Sequence, residues 1–379
     1  MSGLRILITN NTLGPRAGTE LYVRDLATAL MARGHKPIAY STQLGEVADE
    51  LRLATIPVID NLAALSAPPD IIHGHHHLET MTALLRFPNA PAIYFCHGWL
   101  PWEEAPPHFP RILRYVAVDE VCRDRLVYEH AIPVESVRVL FNFVDLDRFK
   151  PRGPLPSRPQ RALVFSNQAG ENSYLIDVRR ACAEAGIALD VIGMKAGNAC
   201  ARPEESLGNY DLVFAKARAA LEALAVGTAV VLCDAKGVGP MVTLAELERL
   251  RPLNFGIRAL RRPITPAVIS REIAQYDPED AAAVSARIRA TAGRDAAIDQ
   301  VIELYQEAIA EHAAAGPRDT EAEERAAADY LLWISPRIKE FDQLKTHLEA
   351  LSGSVAFRLR ECLWRAPVLA RLYRALRRG

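Results

Sequence analysis

Up to about residue 233 the chain alternates short apolar runs, rich in β-branched residues, with helix-length amphipathic stretches. Residues 4–9 read as a buried strand, followed by a glycine-containing loop and a helix over about 19–33 that Gly34 stops. Further strands are expected at 37–41, 71–73, 92–96, 115–118 and 137–141, with helices over 78–86 and 120–130. Apolar strands separated by amphipathic helices imply a parallel sheet covered on both faces.

The stretch 150–161 reads K-P-R-G-P-L-P-S-R-P-Q-R. Its prolines and glycine cannot continue a helix or a central strand, so it is the expected linker between two domains. The alternation then restarts, with strands at 162–166, 189–192, 211–215 and 229–233 and helices over 173–185 and 219–226. An amphipathic helix follows over 295–314, with Ile298, Val301, Ile302, Tyr305 and Ile309 on one stripe. Beyond Gly316-Pro317, residues 319–352 are helical in pattern. Leu331, Ile334, Ile338, Phe341, Leu344, Leu348 and Leu351 recur there by threes and fours. The expected organisation is therefore α/β. An N-terminal Rossmann-like domain spans 1–150 and a second spans 161–294. A helix over 295–316 packs on the domains, and a helical extension covers 317–379.

Composition narrows the function. The 379 residues exceed what one hydrophobic core usually fills, which agrees with two domains. A formal net charge of −1 lacks the basic surplus of a general nucleic-acid binder. The six cysteines contain no C-x-x-C pair and read as reduced thiols. The N-terminus enters a strand with no basic, then apolar, leader. No apolar run is long enough to cross a bilayer. A cytoplasmic location is the expectation.

Several segments could carry chemistry. The loop 10–18 opens a helix, and Gly14 and Gly18 would let a ligand approach backbone N–H groups; a plain strand-to-helix turn is the alternative. His73-Gly74-His75-His76-His77 lacks the further ligands of a zinc site at a suitable spacing, so His73 and His75 are expected to line a cleft, with no metal; incidental surface is the alternative. His97 ends an apolar strand just before Gly98, at the edge where open α/β sheets bind ligands. It reads as a sugar or phosphate ligand or as a structural histidine. Lys216 and Arg218 stand at a helix start, where cations are disfavoured unless an anion binds; solvated surface charge is the alternative. Glu222 lies one turn further along this apolar helix and needs partners, which vicinal ribose hydroxyls could supply.

Four segments in order resemble the retaining glycosyltransferases of family four, which have the GT-B fold of two Rossmann-like domains across a cleft. They are R-I-L-I-T-N-N-T-L-G-P-R-A-G-T-E from Arg5, I-I-H-G-H with Y-F-C-H-G, V-L-F-N-F-V-D-L-D-R-F-K-P from Val139, and E-A-L-A-V-G-T-A-V-V from Glu222. The resemblance covers about residues 5–312. It implies transfer from a nucleotide-sugar with retention, without metal or other cofactor, to a glycan or lipid-linked acceptor, as in cell-surface polysaccharide synthesis. It implies a nucleotide on the second domain with its ribose held by Glu222. Lys216 and Arg218 are expected, from their place at the helix start, to supply the diphosphate charge, with Asn167, Gly170 and, from the first domain, Gly18 as further donor contacts. His97 is the candidate catalytic residue, and Asn142 joins His73 and His75 along the acceptor or cleft side. Two departures stand out. The family's first donor-site glutamate falls on Phe214, and its usual arginine and lysine are missing from F-S-N-Q-A-G-E-N-S-Y after Phe165. A non-catalytic nucleotide-sugar-binding relative, or an epimerase or phosphorylase on the same fold, are the competing readings.

Residues 355–379 carry seven arginines and one glutamate among leucines and aromatics. That pattern is expected on an anionic membrane surface, at the inner face of the cell membrane, with packing on the protein itself or a partner as the alternative. The stripe over 319–352 is an expected homodimer contact.

Overall fold

A computed structural model describes residues 3–171 and 173–353. The alternation read from the sequence becomes two separate sheets. The first contains β1 (Arg5–Thr9), β2 (Lys36–Tyr40), β3 (Val58–Ile59), β4 (Ile71–His75), β5 (Ala92–Cys96), β6 (Ile112–Ala117) and β7 (Val137–Val139). Their order is β3-β2-β1-β4-β5-β6-β7, and every neighbouring pair is parallel. Parallel neighbours need crossovers, which α1 (Gly18–Ala32), α2 (Glu46–Leu53), α3 (His77–Arg86) and α4 (Glu120–Asp124) provide. The chain leaves β1 to one side and returns to its other side at β4. That reversal opens a crevice at the carboxyl ends of β1 and β4.

The second sheet holds β8 (Arg161–Phe165), β9 (Ala188–Ile192), β10 (Leu212–Ala215), β11 (Ala229–Asp234) and β12 (Gly237–Met241), in the order β12-β11-β10-β8-β9. The first four are parallel, and β12 is antiparallel on β11. Helices α5 (Leu175–Glu184) and α6 (Ala217–Val226) make the crossovers, and the reversal here falls between β8 and β10. Gly227 closes α6 at φ +95°, a left-handed position that a side chain would strain. Alternate residues of these strands feed opposite cores. Leu163, Val213 and Val230 face one, and Val164, Phe214 and Val231 face the other. This is the GT-B arrangement. Residues 151–160 carry no regular element between the sheets.

Three helices had no counterpart in the sequence reading: α7 (Leu244–Leu250), α8 (Pro266–Ile273) and α9 (Pro278–Thr291). Each begins at a side-chain cap. The oxygens of Thr243, Thr265 and Asp277 accept from backbone N–H groups two or three residues on. The helix expected over 120–130 is α-helical only to Asp124 and continues as a π-helical turn, Arg125–Glu129. Then α10 (Arg294–Ala314) runs back onto the first half of the chain, against α1, β5 and β6, burying Ile298, Val301, Tyr305 and Ala308. The last described helix, α11 (Thr320–Gly353), contains Pro336 and exposes Leu331, Phe341, Leu344, Leu348 and Leu351. The arginine-rich segment 355–379 lies outside the described residues.

Phe214 occupies the place of the resembled family's first glutamate, yet its side chain is 0% exposed within the second sheet's core. Phe214→Glu should therefore restore no ligand contact. Its urea-unfolding free energy should fall by at least the ~3–5 kcal/mol of a buried aromatic truncation, because an unpaired carboxylate enters the core as well. An unchanged unfolding midpoint would show that the side chain reaches the cleft.

Candidate functional site

The carboxyl ends of the two sheets meet around the start of α1. The loop before α1 is fixed by backbone bonds from Asn10 to Tyr40 (2.9 Å) and Leu13 to Gln43 (2.7 Å), and by Asn10 Nδ2 donating to the Thr12 carbonyl (2.6 Å). No side chain caps the first turn of α1. Two adjoining cavities, of about 370 and 430 Å³, share Ala17, Gly18 and Arg218 in their walls.

The first cavity lies between the N-terminus of α1 and the second sheet. Its far wall is Phe165–Asn167 after β8, Ile192–Met194 after β9, and Arg218, Ala219 and Glu222 on α6. Gly193 is required there, since a Cβ would stand 2.0 Å from the Ser166 carbonyl oxygen. The start of α6 is strained and uncapped: Ala217 has φ +49°, and Lys216 offers no side-chain cap. Buried Glu222 accepts from Arg218 Nε at 2.8 Å, and Arg218 also pairs with Asp25 of α1. Arg24 Nη2 reaches the same Asp25 at 2.7 Å, and Arg148 Nη1 approaches it at 3.7 Å. Burial alone would raise the Asp25 carboxyl, but Arg218 and Arg24 outweigh it and hold Asp25 below its ordinary value. Glu222 goes the other way: burial raises it, and Arg218 offsets only part of that. Despite its burial, Arg218 is held firmly charged by these two carboxylates.

The second cavity is polar and lies on the first sheet's side. Asn11, Glu20, Tyr22, His76, His97, Glu104, Asn142 and Asn254 line it. His97 Nε2 is 2.9 Å from His75 Nδ1, its backbone N–H donates to Glu104 Oε2 at 2.8 Å, and its ring meets Tyr22 edge-on at 4.5 Å. Burial and the neighbouring His76 lower the His97 imidazole to about 3. Arg125, on the π-helical turn, holds the loop beside His97 by donating to the carbonyls of Gly98 (2.5 Å) and Pro101 (2.8 Å). Buried Glu20 has one hydrogen-bonding side-chain partner, Thr19 Oγ1 at 3.2 Å, and burial raises its carboxyl.

Set against the sequence reading, the structure brings Glu222, Arg218, Asn167 and Gly18 into the first cavity and His97 and Asn142 into the second. It does not bring the others. His73 and His75, expected along the cleft, are both 0% exposed beneath it, because β4 turns those alternate positions into the core; His76 lines the cavity instead. Lys216 sits in neither wall and pairs with buried Asp234 at 2.5 Å. Gly170 lies against Lys195, away from both walls. The sequence reading missed Arg16, Arg24 and Arg148, which line the first cavity from the first half of the chain. Nothing in the pattern distinguishes them among 45 lysines and arginines. Among the described residues no group of three or more His, Cys, Asp or Glu side chains is placed to hold a metal ion.

Residues 16–148 match the profile of Glycosyltransferase Family 4, which bears out the family resemblance over that segment. No curated relative matches the sequence. The fold is similar to a glycosyltransferase from Rickettsia africae, with TM-score 0.60 and 14% identity over 82% of this chain and 99% of that one. It is also similar to HepE from Anabaena, solved in complex with UDP and glucose, with TM-score 0.56 and 16% identity over 80% of this chain and 99% of that one.

Glu104 gives the second cavity a pH signature. It is 4% exposed, and burial raises its carboxyl from 4.5 to about 8. Between those values the folded state keeps a proton that the unfolded chain has lost, so this group's contribution to stability declines as pH rises. Glu104→Gln should remove that decline. Urea midpoints of the variant should hold closer to level from pH 5 to 8 while those of the parent fall more steeply, and parallel curves would refute the assignment.

Proposed function

We propose that the chain is a retaining glycosyltransferase whose nucleotide-sugar donor occupies the first cavity and whose acceptor enters through the second. The observation that carries this reading is the wall formed by α6. It combines a helix N-terminus without a side-chain cap, a charged guanidinium on Arg218, and the Glu222 carboxylate one turn further on, all facing one cavity. Such a helix start receives phosphate oxygens, and a carboxylate at that distance accepts both hydroxyls of a ribose. Gly18 adds open backbone on the opposite side, where a Cβ would meet nothing within 4 Å. The diphosphate cation in this reading is Arg218, joined from the first domain by Arg16, Arg24 and Arg148; Lys216 is committed to Asp234.

In the reaction, the acceptor hydroxyl oxygen bonds to the anomeric carbon as the bond from that carbon to the phosphate oxygen breaks. The departing phosphate takes the hydroxyl proton, and the nucleoside diphosphate leaves. Attack from the same face as departure gives retention. The positive end of α6 and Arg218 offset the charge that develops on the leaving group in a cleft short of water. His97 stands in the neighbouring wall as a ligand for sugar or phosphate oxygen. No metal ion is assigned a role. The acceptor is a glycan or a lipid-linked sugar, in synthesis of a cell-surface polysaccharide or glycoconjugate, at the cytoplasmic side of the membrane.

A panel of nucleotide-sugars, with nucleotide release read with and without acceptor sugars and with EDTA present, tests the activity. Binding without release would favour a non-catalytic relative. Glu222→Ala should weaken nucleoside-diphosphate binding about tenfold or more for each hydrogen bond of ~1.5–3 kcal/mol that is lost. Unchanged affinity in the folded variant would remove Glu222 from the donor site.

The reading extends to the C-terminal segments. The exposed apolar face of α11 serves a homodimer, and residues 355–379, with a formal net charge of +6, rest on anionic lipid. Full-length protein should co-sediment with vesicles of anionic lipid, less so at high salt, and truncation after Gly353 should abolish this. Equal partitioning of both forms would exclude the membrane role.

A further inference from the structure

Beneath the second cavity the rings of His73, His75 and His97 follow one another, and this arrangement has a chemical consequence for the one that reaches the cleft. His73 Nδ1 is 2.6 Å from the hydroxyl of Tyr305, which α10 brings from 232 residues away. The His73 ring stacks on Phe95, centroids 4.3 Å apart and planes 20° apart, and lies 4.6 Å from the His75 ring. Thr9 Oγ1 both accepts from the His75 backbone N–H and donates to its carbonyl, each at 3.1 Å. Tyr22 closes on the His75 ring from the side at 5.5 Å. His75 thus has a fixed backbone, a fixed ring and no exposure.

Each neutral imidazole has one N–H and one lone pair, so a single hydrogen bond between two of them sets a proton order. The two rings meet through His75 Nδ1 and His97 Nε2 at 2.9 Å, with planes 24° apart. The other nitrogen of His75, Nε2, is buried without a partner among the described residues. If the His75 proton sat there, a buried N–H would have nothing to donate to, and orphaned buried donors are rarer in proteins than under-used acceptors. With the proton on Nδ1, His75 donates to His97 and leaves only a lone pair unused.

We propose that His75 is a positioning residue that fixes His97 as the tautomer protonated on Nδ1, so that His97 meets its cleft ligand as a neutral N–H donor and not as a base. The lowered basicity of all three rings, caused chiefly by burial, is consistent with a ladder in which none carries charge. The ligand chemistry follows: His97 offers Nδ1–H to an oxygen lone pair, such as a sugar hydroxyl or a phosphate oxygen. It takes no proton from an attacking hydroxyl, in keeping with a transfer in which the leaving phosphate receives it. The choice of ligand rests on the proposed transferase function. The tautomer does not.

Full-length protein labelled with 15N at histidine tests this directly, because the two nitrogens of each neutral tautomer have distinct shifts and couplings to the ring protons. The His97 signals are assigned by their loss in His97→Gln. In the parent, Nδ1 of His97 should have the shift of a protonated nitrogen and Nε2 that of an unprotonated one. His75→Leu should turn His97 into a mixture of the two tautomers. His75→Asn, whose side-chain amide can present an N–H from near the original position, should restore the Nδ1–H form. A protonated Nε2 on His97 in the parent overturns the proposal whether or not the variants fold, and so does an unaltered tautomer in folded His75→Leu. The experiment needs no substrate. A protein with the expected tautomer but no nucleotide release would refute the transferase function and leave this assignment standing.

Discussion

The arrangement of the cleft turns on one ionic group, the partly exposed guanidinium of Arg218 held between buried Asp25 and Glu222. Asp25 belongs to a helix of the first sheet and Glu222 to a helix of the second, so the guanidinium fastens the two halves at the point where their carboxyl edges meet. Burying the two carboxylates is tolerable while the guanidinium is present, since its removal leaves desolvated charges uncompensated. The same group decides the chemistry of the cavity. Asp25, with Arg24 and Arg148 also near it, stays charged, while Glu222 accepts from Arg218 Nε and sits in the wall of the first cavity.

This ionic link bears on how the site lacks the cations that the resembled family usually places after the first strand of the second domain. The loop after β8 contributes Ser166 and Asn167 to the wall, and neither is charged. Positive charge arrives instead from the first half of the chain, through Arg16, Arg24 and Arg148. Each is already engaged by a carboxylate: Arg24 by Glu50 at 3.0 Å, Arg148 by Glu204 at 2.9 Å, and Arg16 by Glu50. A ligand diphosphate would therefore exchange partners with these carboxylates and would not enter a bare positive pocket. Of these pairs Arg148–Glu204 joins the two halves, so exchange there would couple ligand binding to the contact between them.

The two cavities divide the electrostatic work. On the α6 side arginines and carboxylates are paired in a lattice. On the histidine side burial lowers the His97 imidazole and raises the Glu20 and Glu104 carboxyls, shifts that favour the neutral forms, which suit hydrogen bonds to sugar hydroxyls. Sugars need directional hydrogen bonds without the cost of dehydrating opposed charges, whereas a diphosphate needs charge. The junction of both surfaces at Gly18 and Arg218 is where a bond between sugar and phosphate would lie.

Much of this was written in the sequence by itself. The apolar strands from residue 4 to 233, the proline-rich break after Lys150 and the glycine that ends α6 are local signals, because strand alternation, proline geometry and a left-handed cap act over a few residues. The sequence reading passed over α8 and α9 although Thr265-Pro266 and Asp277-Pro278 are local start signals, whereas β12 has none, since G-V-G-P-M has no strand pattern and pairs only because β11 stands beside it. Glu222 stood out as an acid inside an apolar helix and through the family resemblance, and His97 as a histidine ending an apolar strand; each lines a cavity. The tertiary structure alone decided which histidine of His73–His77 faces the cavity, that Lys216 serves Asp234, and that three arginines from the first half line the first cavity. These depend on the turn at the end of one strand and on contacts such as Arg218 with Asp25, 193 residues apart, for which a sequence has no local signature.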